Sequence, residues 1–102
     1  MSAHVLLDAI TATAATKVPF YLTHRDFAGA SLPALKSSGL GVGDTILIWE
    51  WVNGAWADTE VTLANSSGTR SRTIGSPGTY AVTAVLATAG PVSCVLTTAA
   101  RS

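Results

Sequence analysis

The sequence predicts an all-β fold: a single-domain antiparallel β-sandwich or small barrel, immunoglobulin-like or jelly-roll-like, over residues 1–102. Three observations carry that prediction. Short runs rich in Val, Ile, Thr and aromatic residues recur along the chain, separated by clusters of Gly, Pro, Asn and Ser. No segment sustains a helical period. The best stretch, residues 27–36 (FAGASLPALK), carries Gly29 and Pro33 inside it, and an interior proline costs about 3 kcal/mol. Finally, Asn53-Gly54 stands between two strand-like runs, the strongest short-range hairpin signal a sequence offers. A chain of 102 residues fits one domain and buries about two-thirds of its unfolded surface without needing staples.

The elements follow in order. A first strand is expected over residues 4–10 (HVLLDAI), and the following TATAAT, residues 11–16, is loop or strand edge. A second strand covers residues 18–23, with Pro19 marking a strand start or a sheet edge, because proline cannot donate to a ladder. A weak third strand lies over residues 31–36. Residues 37–44 (SSGLGVGD) are turn material leading into the strongest strand, residues 45–52, and after Asn53-Gly54 residues 55–63 run back. Residues 64–71 (ANSSGTRS) form a polar loop. A short strand over residues 72–74 precedes a turn at Gly75-Ser76-Pro77-Gly78. The last two strands, residues 79–87 and 92–98, are expected to pair as a second hairpin across residues 88–91.

All the tryptophans lie in one stretch, WEWVNGAW, residues 49–56. A two-residue loop fixes the register: Val52 faces Ala55, Trp51 faces Trp56, Glu50 faces Ala57 and Trp49 faces Asp58. Strand alternation then places Trp49, Trp51 and Trp56 on one face, with Ile46, Ile48, Glu50 and Val52 on the other. A cross-strand Trp51–Trp56 pair contributes about 0.5–1.5 kcal/mol beyond burial, enough to pin a hairpin. Because Ile46, Ile48 and Val52 are expected as core residues on the opposite face, the tryptophans are free for a structural or interface role, or for a ligand platform.

Composition narrows the function. Hydrophobic residues make up 48% of the chain and charged residues 12%, against about 25% charged in an ordinary domain. Six basic residues balance six acidic ones, so no basic patch is expected and no direct nucleic-acid binding. Low net charge favours association instead. The N-terminus lacks the basic region and apolar run of a secretory signal, and no run approaches the about 18 apolar residues of a membrane span.

Candidate chemistry is sparse. His4 and His24 are the only histidines, and neither lies in an HxH or HxxxH spacing. Thr23-His24-Arg25-Asp26 reads as a solvated turn. Asp44, Glu50, Asp58 and Glu60 lie in or near the central hairpin; Asp58 and Glu60 alternate on one face, as a glycosidase pair would, and as many solvent-facing strands do. No GxSxG elbow occurs, and Gly41-Val42-Gly43 is too short for a phosphate cradle. Cys94, the only cysteine, alternates with Val92 and Leu96 and is expected to be a buried, inert thiol. Arg25, Arg70 and Arg72 read as solvated loop charge. No catalytic residue, cofactor or metal is expected.

Two segments carry a resemblance: GLGVGDTILIWEWVNGAWAD, residues 39–58, and IGSPGTYAVTAVLATAGPVSCVLTTA, residues 74–99. This succession of turn, strand, Asn-Gly hairpin, polar loop and Pro-Gly-Thr-Tyr resembles the small β-sandwich structural proteins of tailed bacteriophages, the capsid decoration (cement) proteins and related head or tail accessory proteins. Pro77, Gly78, Tyr80, Gly90 and Val92 occupy the matching places; Ala81 stands where the pattern has a basic residue, and the first forty residues match nothing in it. The resemblance implies a non-enzymatic virion component, made in the host cytoplasm, that stabilises the shell by bridging capsid subunits, with a major capsid or other virion protein as partner and self-association besides. Trp49, Trp51, Trp56, Asn53, Gly54, Pro77, Gly78 and Tyr80 are its structural or interface candidates. The competing expectation is a carbohydrate- or receptor-binding module with the three tryptophans as platform and Asp58 and Glu60 as hydroxyl acceptors.

Overall fold

The computed structural model describes residues 2–28, 32–66, 69–88 and 90–98. It holds eight strands: β1 (Ser2–Ile10), β2 (Ala14–Leu22), β3 (Ala34–Ser38), β4 (Thr45–Val52), β5 (Ala55–Ala64), β6 (Ser71–Thr73), β7 (Gly78–Val85) and β8 (Val92–Thr98). They form two four-stranded sheets, the first in the order β1-β8-β3-β6 and the second in the order β2-β7-β4-β5.

That order has a simple origin. β4 pairs with β5, β3 with β6, β2 with β7 and β1 with β8, all antiparallel. These are the rungs of one long hairpin whose tip is Asn53-Gly54. Rolling the hairpin up adds two further pairings, β3 with β8 and β4 with β7, and yields two facing sheets. The result is a jelly roll, one of the two sandwich types the sequence left open; immunoglobulin strand order does not fit it.

The core lies between the sheets. β8 alternates strictly, with Val92, Cys94, Leu96 and Thr98 buried, and Leu35, Ile46, Leu63 and Val82 from both sheets are fully enclosed. Phe20 and Tyr80, directly opposed on β2 and β7, stack at 5.7 Å between centroids. The Tyr80 hydroxyl donates to the Ser76 carbonyl at 2.9 Å, so the Pro77-Gly78 turn is held from inside. Ile46 and Ile48 are core residues as expected, but Val52 is 43% exposed, because the hairpin tip carries its inward side past the facing sheet.

Other expectations need correction. The last two strands do not form a hairpin: β7 lies between β2 and β4 in the second sheet, and β8 between β1 and β3 in the first. Both edges of each are already occupied, so the connection crosses between the sheets. The third strand is Ala34–Ser38, displaced toward the turn, because Ser37 gains a partner: its N–H and hydroxyl both donate to the Arg70 carbonyl, at 2.9 and 2.7 Å. Strand β2 starts at Ala14, inside the stretch left as loop or edge. Residues 24–27 form a 3-10 turn whose Asp26 carboxylate accepts the Thr23 backbone N–H at 2.7 Å. Ser31 of the expected third strand, Ser67 and Gly68 of the polar loop, Ala89 of the last turn and Ala99 lie outside the described residues.

The four edge strands share one property. β1 has register shifts, with Ala9 at φ 48° and its N–H on Ser93 Oγ at 2.9 Å. β2 carries Pro19 and a register shift between Ala14 and Val18. β5 bulges between its pairings with Leu47 and Trp49, with Glu60 at φ 64°. β6 has three residues. Bulges, proline and shortness each spoil a strand as a template for further pairing.

Asp44 joins the two loops that the roll brings together. Its carboxylate accepts the Ala87 and Thr88 N–H groups at 2.7 and 2.9 Å, the Gly41 N–H at 2.8 Å, and the Thr88 hydroxyl. The side chain is buried. The Thr88 hydroxyl above all, with the Gly41 amide next and those of Thr88 and Ala87 adding to it, outweighs desolvation and lowers the Asp44 pKa to about 2 from 3.8. The folded state therefore binds this proton less well than the unfolded chain. Stability from the group is present above about pH 4 and lost as pH falls through about pH 2. Asp44→Asn should lower the thermal midpoint at neutral pH more than Asp8→Asn on the exposed part of β1, and the gap to the parent protein should close between about pH 4 and pH 2; melting curves across that range check it.

At the hairpin tip Asn53 has φ 50° and Gly54 φ 83°, the two positive values of a type I′ turn. A Cβ on Gly54 would meet nothing within 4 Å, whereas one on Gly39 (φ 80°) would lie 2.0 Å from the Pro91 carbonyl oxygen. Gly54→Val should therefore cost only backbone strain, about 1–3 kcal/mol, and Gly39→Ala more than Gly54→Ala, as read by urea denaturation. Equal costs would count against the packing of the 39–44 loop on Pro91.

Candidate functional site

The outward side of the second sheet is the surface that ordinary sandwich design does not explain. An antiparallel sheet packed on one side normally presents polar residues to water on the other. Here Trp49, Trp51 and Trp56 project outward, in the expected register, with Trp51 opposite Trp56 and Trp49 opposite Asp58. Pro19 and Tyr21 of β2, and Ala81, Thr83 and Val85 of β7, lie on the same side. Tyr21 is 64% exposed, Val85 51% and Trp51 47%.

The tryptophans hold different positions. Trp51 and Trp56 meet edge to face, with centroids 5.1 Å apart and planes at 76°. Trp49 reaches over the neighbouring strand. Its Nε1–H donates to Thr83 Oγ1 at 3.0 Å, and the Lys17 ammonium lies 4.4 Å from its ring centroid. Lysine and indole together roof β7, which is why Ala81 and Thr83, though on the outer side, are 0% and 6% exposed. The cation–π contact and the hydroxyl bond fix the Trp49 ring. Nothing in the sequence signals this arrangement, since Lys17, Trp49 and Thr83 come together only across three strands.

The remaining candidates are placed as follows. Asn53 and Gly54 form the exposed tip; Pro77 is exposed, while Gly78 and Tyr80 begin β7, with Tyr80 in the core. Asp58 and Glu60 are both exposed, but the strand alternation that would put them on one face is broken between them. Asp58 Oδ1 accepts the Glu60 N–H at 2.8 Å, and Thr59 Oγ1 donates to the Ile48 carbonyl at 2.8 Å, so these side chains serve the bulge. His24 is exposed on the 3-10 turn. Cys94 is buried, and desolvation pushes its thiol up to about 12. Arg72, expected as loop charge, instead donates from Nε to the Thr62 carbonyl at 3.1 Å, tying β6 to β5 across the open flank of the sandwich. Arg70 Nη2 donates to Asn65 Oδ1 at 2.8 Å within the loop.

A cleft of about 430 Å³ opens between edge strands β1 and β2, lined by Ala3, His4, Pro19, Phe20, Tyr21, Leu96 and Thr98. Among the described residues its lining brings one imidazole and one phenol together, with no carboxylate or thiol. Among the described residues no group of three His, Cys, Asp or Glu side chains is placed to hold a metal ion.

No family model matches this chain, and no curated protein or solved structure matches it either.

The geometry of the tryptophan pair sets an energetic expectation. In a double-mutant cycle, Trp51→Ala and Trp56→Ala should be coupled by about 0.5–1.5 kcal/mol, measured by chemical denaturation. Trp49→Ala should show no comparable coupling to Trp56→Ala, because its ring is turned toward β7.

Proposed function

We propose that this protein is a non-enzymatic virion structural protein, a capsid decoration protein that stabilises a shell by bridging neighbouring capsid subunits. The observation that carries the reading is the aromatic outer side of the second sheet. An exposed apolar surface of this kind marks a protein contact, and it sits on a scaffold whose strand edges are all unsuited to further pairing. The jelly-roll order supports the reading by architectural analogy, since viral capsid domains use it. Lectins use it too, so topology alone does not choose, and the resemblance of residues 39–58 and 74–99 to phage accessory proteins supplies the preference.

The arrangement of the rings disfavours the sugar platform. Stacking on a sugar needs open, roughly coplanar ring faces. Trp51 and Trp56 instead turn edge to face, and Trp49 carries the Lys17 ammonium over its ring.

Bridging in this reading is mechanical. Apolar area removed from water at subunit junctions contributes about 25 cal/mol per Å² before association costs, and repetition over many identical junctions raises the resistance of the shell. Particles carrying the protein should release DNA at a higher temperature than particles lacking it, and moderate salt should not strip it off, because a chain with six basic and six acidic residues has little net charge to screen. The measurement is parallel heating of the two particle preparations with a DNA-binding dye. Equal release temperatures, together with sugar-dependent retention of the isolated chain on a glycan surface, would replace this reading with the binding-module one.

A further inference from the structure

We infer that the outer side of the second sheet is the interface of a two-fold homodimer, with Lys17 of each copy set against Asp58 of the other. The inference rests on the assembly role proposed above and names the partner of that same surface: a second copy of this chain.

Self-association through strand edges is disfavoured on all four sides. Bulges in β1, β2 and β5, Pro19 in β2 and the three-residue length of β6 leave no straight edge for a ladder to continue. What remains is packing by faces. The outer side of the first sheet carries Ser93, Thr97, Lys36 and Thr73, with Val5 and Val95 as its larger apolar residues and, among the described residues, no tryptophan or tyrosine. The second sheet presents Trp51, Trp56, Trp49, Pro19 and Tyr21.

Charge placement selects a copy of the same surface as occupant. Lys17, on edge strand β2, is the one base in the four strands of the second sheet; of the acids on β4 and β5, Glu50 alternates to the inner side, and Asp58, opposite Trp49 on the far edge strand, shares the outer one. Within one chain Lys17 and Asp58 sit on strands three spacings apart, about 14 Å. A two-fold axis parallel to the strands lays β2 of one copy over β5 of the other. Asp58 is level with Pro19, two residues or about 7 Å along the strand from Lys17, an offset a lysine side chain spans, so two Lys17–Asp58 pairs form per dimer while the aromatic centre packs on itself. A self-complementary patch of this kind is what an isologous interface requires. Four strands about 4.8 Å apart and eight residues long at about 3.4 Å each cover about 500 Å². Two such surfaces bury about 1,000 Å², the lower bound for a specific interface, so the dimer is reversible and concentration-dependent. A two-fold dimer also presents two identical copies of everything else on its surface, the geometry needed to span two equivalent sites.

The test is sedimentation of the isolated chain over a wide concentration range, with far-UV circular dichroism and melting curves on each variant to establish folding. The parent protein should pass from monomer to dimer. Lys17→Glu and Asp58→Lys should each weaken the dimer about tenfold by setting like charges together at two sites, and the combined variant should recover to within about threefold of the parent. Val42→Glu, at an apex 82% exposed on the 39–44 loop, should leave the dimer unchanged. A monomer at every concentration, a double swap no tighter than the single ones, or loss of dimer in Val42→Glu would overturn the inference. Such a monomer that still raises the release temperature of particles would leave the proposed function standing, whereas a dimer without effect on particles would reject the function and keep the interface.

Discussion

The register of β4 against β5 is the constraint on which the other pairings rest. Asn53 and Gly54 both adopt positive φ, and a two-residue turn with that geometry matches the right-handed twist of its strands and allows one register. With Trp51 opposite Trp56, Ile46 and Ile48 face the core together with Leu63 of β5. A slip of one residue would drive the tryptophans inward and the isoleucines into water. From this tip the remaining pairs follow outward, β3 with β6, β2 with β7, β1 with β8, each closing a longer loop than the one before. The pairs nearest the tip are local and the last joins opposite ends of the chain, so loop-closure cost rises steadily along the roll.

Rolling a long hairpin into two sheets forces chain crossings at each end of the sandwich, and the crossings need polar anchors because their backbone groups leave the ladders. Asp44 supplies one such anchor. A single buried carboxylate engages donors from the 39–44 and 86–91 loops at once, which fixes β4 and β7 at the point where β7 gives way to β8. Arg72 does related work on the flank through the Thr62 carbonyl. Tyr80 does so beneath the Pro77 turn through Ser76. A chain with 12% charged residues thus uses several of its polar groups inside the fold and leaves its surface poor in charge.

That poverty of charge bears on function. An outer sheet surface bearing three tryptophans, a tyrosine and a proline is costly in a dilute monomer, and the protected edges rule against covering it by strand addition. The face-to-face contact proposed above uses both features. In the inferred dimer the Lys17 margin of one copy meets the Asp58 margin of the other, which sets orientation, because laying β2 over β2 would bring the two lysine margins together.

The sequence by itself determined what depends on neighbours along the chain. It specified the all-β class, the strands at residues 45–52 and 92–98 to the residue, the Asn53-Gly54 turn, the common side of the three tryptophans, and the burial of Cys94. Each of these follows from two-residue alternation or from the dihedral demands of a turn, which are local. Only the tertiary structure decided which strands pair when they are far apart. The last two strands are adjacent in sequence and joined by a short turn, yet they belong to different sheets, because each is already flanked on both edges by strands from distant parts of the chain. The same distance hid the Asp44 anchor, whose Ala87 and Thr88 donors lie more than forty residues away, and the lysine–indole roof over β7. Bulges were equally illegible. Nothing in Asp58-Thr59-Glu60 announces a left-handed glutamate, and that one residue separates two carboxylates that alternation would have placed side by side.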